Sequence, residues 1–530
     1  MKQFVIVVTL VCISIIHIRA QDVDILIDFD LNNNQYQAKE SKDKPRSIFA
    51  AQQHEFAEGL SGRAIDFSVD AAFRMPLKLK EEVQFSYGAD QSFAVQVWVK
   101  TLPNAPQGTF IAGNKKDKNE ANPGWLIMSD DDGGWSFAIS DGKKQYIYQP
   151  TVERQRINDG IWHQLVFSVN REKSEVWLYF DGVNVGIYNT PGLKILESDY
   201  ITTFGGTASN WDYYGQLEAF NGFMDNIKLW KKHVSSTDVK TLFTQYYPMQ
   251  EQVSYSKQEV KVLSWNIWGG GRELGKNVGV QRVIESIKAT NADVVTLIET
   301  YGSGEIIADS LGYYFYLISS NLSIMSRYPI VETIDAFKPF NFGGAKLQLS
   351  DEQQLVVFDT WLHYLPDYRG NIIKGEMTSD QLVKDEEKTR LAEIKQILKE
   401  VQPWIKDANN IPVIMAGDFN TNSHFDWTAL TKDIHLGYVV DWPVTKEMDK
   451  AGFIDSFREI NPNPLKDPGF TGWPYNRDTE ERDVESRIDY IFYQGKALQA
   501  IESKVVNYHP VMFPSDHSFV LSTFKMKLPQ

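Results

Sequence analysis

The stretch Val413-Ile414-Met415-Ala416-Gly417-Asp418-Phe419-Asn420-Thr421-Asn422 decides the fold of the second half of the chain. The apolar run Ile411–Ala416, broken only by a proline, predicts a strand that is covered on both faces. Gly417 then lets the backbone bend. Asp418 and Asn420 lie two residues apart, so on an extended chain they point to the same side. The stretch alone fits two interpretations: an Asx turn that closes a strand, or a polar pair that orients a water and holds a phosphate oxygen in a cleft.

Length and composition indicate a globular chain with more than one domain. At 530 residues it is too long for one ordinary domain, and large β-rich domains favour a count of two. Residues 1–20 predict a secretory signal, with Lys2 before the apolar core Phe4–Ile16 and Ala20 before the cleavage point. That core is too short to favour a retained membrane span. We therefore expect a mature chain without a transmembrane segment, secreted or held in the periplasm or cell envelope.

Cysteine usage and charge narrow the class further. Cys12 is the only cysteine and lies inside the predicted signal, so the mature chain would have no disulfide and no zinc site with thiolate ligands. The formal net charge is -15, or -17 once Lys2 and Arg19 are removed with the signal. A strongly acidic surface is a poor partner for nucleic acid, because cationic contacts to phosphate normally supply that affinity.

Residues 22–247 are predicted to form an all-β sandwich. Short apolar segments recur, and Asp-Gly or Gly-Gly turns separate them without helices in between. The clearest strand segments are Ala64–Phe67, Phe93–Val99, Trp135–Ile139, Gln164–Val169 and Val176–Phe180. We interpret four tryptophans as core residues (Trp98, Trp162, Trp177 and Trp230) and one loop pair as exposed (Trp211 and Asp212).

Four strings of this half carry a family resemblance. They are Gly59-Leu60-Ser61-Gly62-Arg63-Ala64-Ile65-Asp66-Phe67, Asp159-Gly160-Ile161-Trp162-His163-Gln164-Leu165-Val166-Phe167, Val176-Trp177-Leu178-Tyr179-Phe180-Asp181-Gly182 and Gly222-Phe223-Met224-Asp225-Asn226-Ile227-Lys228-Leu229-Trp230. Together they resemble the laminin-G-like, concanavalin A-like sandwich family. The resemblance implies a lectin-like domain with a glycan as ligand and, in some members, bound calcium.

Beyond a polar, unpatterned linker at residues 248–258, helices alternate with apolar strands. The predicted helices, Val280–Thr290 and Asp385–Glu400, have apolar residues at helical spacing. The predicted strands are Val260–Asn266, Asp293–Glu299, Leu322–Met325, Leu355–Leu362, Ile411–Ala416, Ile488–Tyr493 and Phe519–Phe524. This order predicts an α/β domain over residues 259–527, in which helices cover a two-sheet core.

Eight polar side chains close or follow these strands. They are Asn266, Glu299, His363, Asp418, Asn420, Asp489, Asp516 and His517. Each alone has an ordinary explanation, such as a helix cap, a satisfied strand residue or a surface turn. Together, in one α/β unit without thiols or a nucleophilic serine elbow, they point to metal-assisted hydrolysis of a phosphate ester.

Six strings of this half, in a fixed order, carry a second resemblance. They are Ser264-Trp265-Asn266-Ile267-Trp268, Val295-Thr296-Leu297-Ile298-Glu299-Thr300, Leu322-Ser323-Ile324-Met325-Ser326-Arg327-Tyr328-Pro329-Ile330, Gly417-Asp418-Phe419-Asn420, Ser486-Arg487-Ile488-Asp489-Tyr490-Ile491 and Ser515-Asp516-His517. They resemble the endonuclease/exonuclease/phosphatase superfamily, which includes pancreatic-type DNase, abasic-site endonucleases, inositol polyphosphate phosphatases and neutral sphingomyelinases. The resemblance implies a four-layer α/β sandwich. The chain departs from the family at Leu362-His363-Tyr364, where Thr-His-Leu is usual, and in an insertion, Pro366–Asp385.

The resemblance and the residue types together imply a metal site. Glu299, Asn266 and Asp516 would hold Mg²⁺, which prefers oxygen ligands and retains several waters, with Mn²⁺ or Ca²⁺ as alternatives. A bound metal would polarise a phosphoryl oxygen and steady the leaving group.

The remaining five residues are expected to act on the substrate. His517 would take a proton from the attacking water, and Asp489 would fix its tautomer. Asp418 would orient the water or the leaving oxygen. Asn420 and His363 would donate hydrogen bonds to the phosphate as negative charge develops.

We therefore expect an exported, divalent-metal-dependent hydrolase of phosphate esters, of the phosphodiesterase type. Two alternatives stay open: a secreted nuclease acting on DNA or RNA, and a catalytically inactive glycan-binding protein. The loop Thr300–Glu305 has no arginine or lysine to meet successive phosphates, so a lipid head group or phosphorylated glycan is favoured over nucleic acid. Aromatic residues on candidate site loops fit stacking on a base, contact with a membrane surface or packing on a sugar; they are Trp268, Tyr364, Tyr368, Trp473 and Tyr475.

Overall fold

A computed structural model describes most of the chain. The described residues are 25–28, 37–38, 55–68, 76–79, 88, 90–105, 108–194, 196, 198–206, 219–249, 258–474 and 484–527. The predicted signal, residues 250–257 of the predicted linker, the pair Trp211 and Asp212, and Tyr475 lie outside them.

The first half is built from two antiparallel sheets. Its elements are β1 (Ile25–Asp28), β2 (Gln37–Ala38), β3 (Glu55–Glu58), β4 (Arg63–Asp66), β5 (Leu77–Lys78), β6 (Phe93–Lys100), β7 (Phe110–Gly113), β8 (Gly124–Ser129), β9 (Trp135–Ser140), β10 (Gln145–Tyr148), β11 (Trp162–Asn170), β12 (Glu175–Phe180), β13 (Val183–Asn189), β14 (Thr203–Phe204), β15 (Phe223–Trp230) and α1 (Ser236–Thr244). One sheet has the order β2-β1-β15-β6-β11-β12-β13, with β4 and β3 beside β15, and the other has the order β10-β9-β8-β7-β14-β5.

Large aromatic side chains fill the space between these two sheets. The ring of Phe167 on β11 lies 4.9 Å from that of Trp125 and 4.7 Å from that of Phe137, both on the opposite sheet. The four tryptophans predicted to be core residues are buried, which confirms that interpretation. This half is therefore the predicted β-sandwich.

The second half has two six-stranded sheets with helices outside them. Its elements are β16 (Glu259–Asn266), α2 (Trp268–Gly271), α3 (Val278–Thr290), β17 (Val294–Ile298), α4 (Gly304–Leu311), β18 (Tyr314–Leu317), β19 (Leu322–Ser326), β20 (Ile330–Ile334), β21 (Phe342–Gln348), β22 (Gln354–Trp361), α5 (Tyr368–Lys374), α6 (Ser379–Glu386), α7 (Arg390–Glu400), α8 (Gln402–Asp407), β23 (Val413–Asp418), α9 (Pro443–Lys450), β24 (Ile454–Asp455), α10 (Ser456–Ile460), β25 (Asp489–Gln494), β26 (Leu498–Val506) and β27 (Phe519–Met526). The sheet orders are β18-β19-β17-β16-β27-β26 and β20-β21-β22-β23-β25-β24.

The facing sides of these two sheets bury one apolar layer, which includes Val262, Val294, Val357, Ile414 and Ile491. On the outer faces, α3 and α4 cover the first sheet and α7 covers the second. Strands with apolar residues on both faces need cover on both sides, and the helices supply it. The result is the predicted four-layer α/β sandwich.

The two halves share a sheet. Strand β13 of the first half pairs in parallel with β18 of the second, with Ile187 opposite Tyr316 and Tyr188 opposite Leu317. One sheet of each half thereby joins a single 15-stranded sheet.

Two local predictions differ from the structure. The predicted strand Ile411–Ala416 begins only at Val413, because Pro412 has no N–H to donate to a neighbouring strand. The predicted helix Asp385–Glu400 is two helices, since α6 ends at Glu386 and Thr389 has a non-helical φ of -114° and ψ of -101°.

The insertion Pro366–Asp385 forms α5 and most of α6, and the apolar residues of these two helices pack with Trp427 and Trp442. None of the helices in the described part of the chain has the length and apolarity to cross a bilayer.

Candidate active site

The predicted residues come together at one edge of the paired sheets. Asp418 ends β23 and lies directly opposite Asp489, the first residue of β25, in antiparallel register. Directly opposite residues in such a pair have side chains within contact distance of each other. Asn266 ends β16, and Glu299 follows the end of β17, the parallel neighbour of β16. Strand ends therefore bring these four side chains to one cleft.

His517 is held against Asp489 in this cleft. Its Nδ1 lies 2.9 Å from Oδ2 of Asp489, and both side chains are buried. The backbone of His517 is fixed as well: its N–H donates to Ser515 Oγ at 3.0 Å, and its carbonyl accepts from the Trp265 indole at 2.8 Å. Asp418, Asp489 and His517 offer ligand-type atoms that all lie within 4.8 Å of one another.

The side chain of Asn266 lies between the carboxylates of Glu299 and Asp418. Its Nδ2 lies 3.3 Å from Glu299 Oε1 and 3.3 Å from Asp418 Oδ2, while its Oδ1 accepts from the Trp268 N–H at 3.0 Å. Glu299 Oε2 accepts from the Gly269 N–H at 2.8 Å. Glu299 and Trp268 have positive φ values of 58° and 55°. Such backbone strain in non-glycine residues persists where surrounding contacts enforce it, often at functional sites.

Asn420 and His363 lie at the neighbouring strand ends. The N–H of Asn420 donates to Asp418 Oδ1 at 2.9 Å, and its side-chain amide donates to Leu362 O at 2.9 Å, which leaves a second amide hydrogen for a substrate. The Nδ1 of His363 lies 3.1 Å from the Leu365 N and 3.3 Å from the Leu365 O, so the backbone of the following loop holds this side of the ring. His363 is exposed. Among the described residues, no hydrogen bond joins its ring to the carboxylates.

Negative charge dominates the cleft. Burial and then the charge of Asp489 raise the pKa of Asp418 well above its ordinary value. Burial alone would lower the pKa of His517, but Asp489, Asp418 and Asp516 outweigh burial and raise it to about 10. Burial raises the pKa of Asp516 too, and the charge of Glu299 adds to that rise. Three carboxylates thus surround the imidazole, and the charge of Glu299 acts on one of them, Asp516; this arrangement favours a bound cation.

The donor set fits a divalent cation near Glu299 and Asp516. The Oδ1 of Asp516 is buried and accepts no hydrogen bond from the part of the chain that the structure describes. A buried carboxylate oxygen without a donor is costly unless a charge balances it. His517 Nδ1 is already engaged by Asp489, so this pair is better suited to proton transfer than to metal ligation.

Several residues that hold the site were not singled out from the sequence. Thr471 is buried, and its Oγ1 accepts from the N–H groups of Ile488 and Asp489 at 3.0 and 3.1 Å. Arg487, next to Ile488, forms buried ion pairs of 2.7 Å with Asp426 and with Asp455. These contacts fix the start of β25. In the sequence, the only indication of these contacts is the arginine in Ser486-Arg487-Ile488-Asp489.

The aromatic candidates divide into two groups. Tyr368 is buried under the guanidinium of Arg390, 4.2 Å away, so it is a packing residue. The Trp473 ring lies 6.1 Å from the His517 ring, and the guanidinium of Arg369 lies 4.8 Å from the Trp473 ring. Tyr364 is exposed and stacks on His363 at 5.4 Å.

Family comparisons match both halves of the chain. The endonuclease/exonuclease/phosphatase family matches residues 263–517, and the concanavalin A-like lectin/glucanases superfamily matches residues 78–240. The uncharacterized protein F14F9.5 of Caenorhabditis elegans is 30% identical over 262 residues, which cover 46% of this chain and 82% of that protein. This chain belongs to the endonuclease/exonuclease/phosphatase family.

Solved structures of endonuclease/exonuclease/phosphatase proteins align with about half of this chain. A truncated TDP2 from Caenorhabditis elegans is 18% identical and has a TM-score of 0.35, covering 50% of this chain and 97% of its own. An AP endonuclease from Archaeoglobus fulgidus is 16% identical with a TM-score of 0.36, covering 50% of this chain and 98% of its own. In the present family member, a lectin-like sandwich precedes the family domain.

The buried carboxyl group of Glu386 lies behind the loop that carries His363. Arg390 donates through Nη2 to the carbonyls of Tyr364 and Pro366. One turn earlier, Glu386 is fully buried and accepts from the hydroxyl of Thr421 and from the Val444 N–H. Burial raises the pKa of Glu386 to about 7, although its hydrogen bond from Thr421 and the charge of Arg390 oppose the rise.

Glu386 should make the stability of the protein fall as pH rises. Its pKa in the folded state is above its ordinary value of 4.5, so the folded state binds the proton more tightly. That stabilisation is complete below pH 4.5 and is lost as pH rises through 7; it amounts to about 3 kcal/mol. Glu386→Gln should remove most of this loss, measured as the free energy of unfolding in urea at pH 5 and pH 8.

The matched control for this prediction is Glu387→Gln, which changes the exposed neighbouring residue. It should keep the wild-type difference between the two pH values. An equal pH difference in Glu386→Gln and wild type would show that Glu386 is not the titrating group.

Proposed function

We propose that the protein is a divalent-cation-dependent hydrolase of phosphodiesters. The observation that carries this proposal is the buried Asp489–His517 pair beside Asp418, facing Glu299 and Asp516 at one sheet edge. A histidine oriented by a carboxylate can move a proton, and a cluster of carboxylates can hold a metal ion. Membership of the endonuclease/exonuclease/phosphatase family supports the same reaction class.

The chain's own residues can carry out the proton transfer. Nδ1–H of His517 donates to Asp489, which leaves Nε2 to accept a proton from the attacking water. Asp418 would orient that water; its Oδ1 accepts from the Asn420 N–H, which holds the carboxylate in place. The second amide hydrogen of Asn420 and a ring N–H of His363 can donate to phosphate oxygens as charge develops.

Glu299 and Asp516, with Asn266 beside them, are the residues that would hold the cation. A bound divalent ion, Mg²⁺ by ligand type, would polarise a phosphoryl oxygen, offset part of the carboxylate charge and bring the pKa of His517 closer to neutral.

We also propose that the protein is exported and that its lectin-like domain binds a glycan. The apolar stretch Phe4–Ile16 after Lys2 supports export. The match of residues 78–240 to the lectin/glucanases superfamily supports a glycan ligand. A phosphorylated glycan or a lipid head group is the favoured substrate class.

A nuclease is the second candidate function. The observation that favours it is the Arg369–Trp473 pair next to His517, which offers a cation and an aromatic face to a stacked base. The acidic chain, with a formal net charge of -15, opposes it. Plasmid DNA and RNA, assayed beside lipid vesicles and phosphosugar diesters at physiological salt, separate these functions.

Turnover of bis(p-nitrophenyl) phosphate should stop in EDTA and return with added Mg²⁺. Glu299→Gln should raise the Mg²⁺ concentration for half-maximal rate by roughly tenfold or more, because one anionic ligand is lost. Glu502→Gln, at an exposed residue paired with Lys504, is the control and should leave the titration unchanged. Metal-independent turnover, or none on any ester, would refute the proposal; the second result would favour an inactive glycan-binding protein.

A further inference from the structure

A loop with exposed apolar side chains leads directly into the active site. Residues 507–514 precede Ser515, Asp516 and His517. Within this loop Tyr508 is 72% exposed, Val511 is 74% exposed and Met512 is also exposed. Exposed apolar residues are ordinary when scattered singly, but three in one short loop beside a catalytic cleft call for an explanation.

The loop is anchored, so these side chains cannot fold back to bury themselves. His509 is buried; its Nδ1 accepts from the N–H groups of Val511 and Met512 at 3.2 and 3.3 Å, and its Nε2 lies 3.0 Å from Glu285 on α3. Phe513 is also buried and stacks on Trp265 at a ring distance of 5.2 Å. The two anchors direct the residues between them outward.

Further exposed apolar residues adjoin other site residues. Tyr364 and Leu365 follow His363, and Tyr301 lies two residues after Glu299. We define the apolar rim as these residues together with the three of the anchored loop: Tyr301, Tyr364, Leu365, Tyr508, Val511 and Met512. Three separate loops, each of which carries or adjoins a site residue, thus expose apolar side chains.

The charges of the rim segments and of the whole chain indicate which kind of surface the rim can bind. The segments 507–514 and 364–366 contain no acidic residue, lysine or arginine, and the one histidine, His509, is buried against Glu285. The chain as a whole has a formal net charge of -15. At the Tyr301 loop, Arg272 already donates to the carbonyls of Tyr301 and Gly302. An anionic bilayer or a nucleic acid would be repelled by the chain and would find no cluster of cations at the rim. A neutral surface with an apolar interior suits apolar side chains accompanied by tyrosines.

We propose that the apolar rim docks onto a zwitterionic lipid surface and presents the head-group phosphodiester to the cleft. This inference rests on the proposed phosphodiesterase function and names its substrate-bearing surface. The rim enters the acyl boundary while His517 and Asp489 stay at the level of the head groups. A protein partner or a second copy of the chain is the competing occupant.

The test is flotation of the mature chain, without residues 1–20, with vesicles of phosphatidylcholine or of phosphatidylserine. The fraction of wild type that floats with phosphatidylcholine vesicles should be almost equal at about 0.05 and about 0.5 M salt, because salt screens contacts between charges and not apolar contacts. Val511→Ser with Met512→Ser should lower the bound fraction at least fivefold and leave turnover of bis(p-nitrophenyl) phosphate unchanged. Leu102→Ser with Ile161→Ser, two exposed apolar residues of the sandwich, is the matched control and should bind as wild type does.

Three results would overturn the rim proposal. They are no flotation of wild type with phosphatidylcholine, binding only to phosphatidylserine with loss in salt, or equal flotation of the rim variant. A dimer in light scattering that the rim variant dissolves, without flotation of wild type, would assign the rim to a second copy. Flotation without turnover of any ester would refute the hydrolase proposal and keep the docking surface.

Discussion

Replacing Asp489 with asparagine should lower kcat for a soluble phosphodiester by roughly a thousandfold to ten-thousandfold, as the same change does in a Ser-His-Asp triad. The Asp489 carboxylate accepts from Nδ1 of His517 at 2.9 Å and thereby leaves Nε2 free to take a proton. An asparagine amide can donate to Nδ1 instead, which puts the proton on Nε2 and removes the base. Side-chain shape is nearly conserved, so KM should change little.

The sandwich supplies a matched control for this experiment. Asp181 there accepts from Nδ1 of the buried His163 at 2.8 Å, the same type of pair. Asp181→Asn should leave kcat unchanged. Turnover and thermal unfolding are measured for both variants. A kcat within tenfold of wild type for a folded Asp489→Asn protein would show that Asp489 does not set the tautomer of His517 for catalysis.

Loss of Asp309 should destabilise both halves of the protein together, by about 2 to 4 kcal/mol. This residue of α4 has a side chain only 1% exposed, and its partners are in the sandwich. Arg154 Nε and Gln155 Nε2 donate to its Oδ1 at 3.0 and 2.8 Å, and the Thr151 hydroxyl donates to its Oδ2. Asp309→Ala leaves these donors without their acceptor. Because α4 begins at Gly304, shortly after Glu299, the affinity for Mg²⁺ should fall as well.

Urea unfolding followed by tryptophan fluorescence, with an Mg²⁺ titration of activity, checks this prediction. Glu153→Ala is the control, since Glu153 is next to Arg154 but its contact with Lys288, at 3.9 Å, is exposed. An exposed pair contributes about 0 to 1 kcal/mol, so this variant should unfold like wild type. Equal stability of Asp309→Ala and wild type would mean that the contacts of Asp309 do not couple the two halves.

The sequence predicted the strand ends of the site well, for a physical reason. Buried strands read as apolar runs, so a polar residue that closes such a run stands out, as Asn266, Asp418 and Asp489 do. Parallel and antiparallel pairing then brings these ends to one edge, which the register of β23 with β25 shows. His517 could be predicted only from the six ordered segments that resemble the family, because a lone Asp-His pair shows no periodicity.

Other features depend on contacts between distant segments and leave no local pattern. Thr471 receives two backbone N–H groups from the start of β25, and nothing around it in the sequence marks that role. Glu386 lies in an ordinary amphipathic pattern, yet tertiary packing buries it fully. The break before α7 was missed because good helix formers lie on both sides of Thr389. The β13–β18 pairing rests on backbone hydrogen bonds, which any pair of apolar strands could form.

That pairing also protects the protein from self-association. A strand at the edge of a sheet presents unpaired N–H and C=O groups to any chain that can add a strand. In the intact protein β13 and β18 cover each other, with Tyr188 opposite Leu317. Either half produced alone would uncover one of these apolar edges. Each half thus covers the exposed sheet edge of the other. We expect the joined sheet to affect the solubility of the separated halves more than their folding.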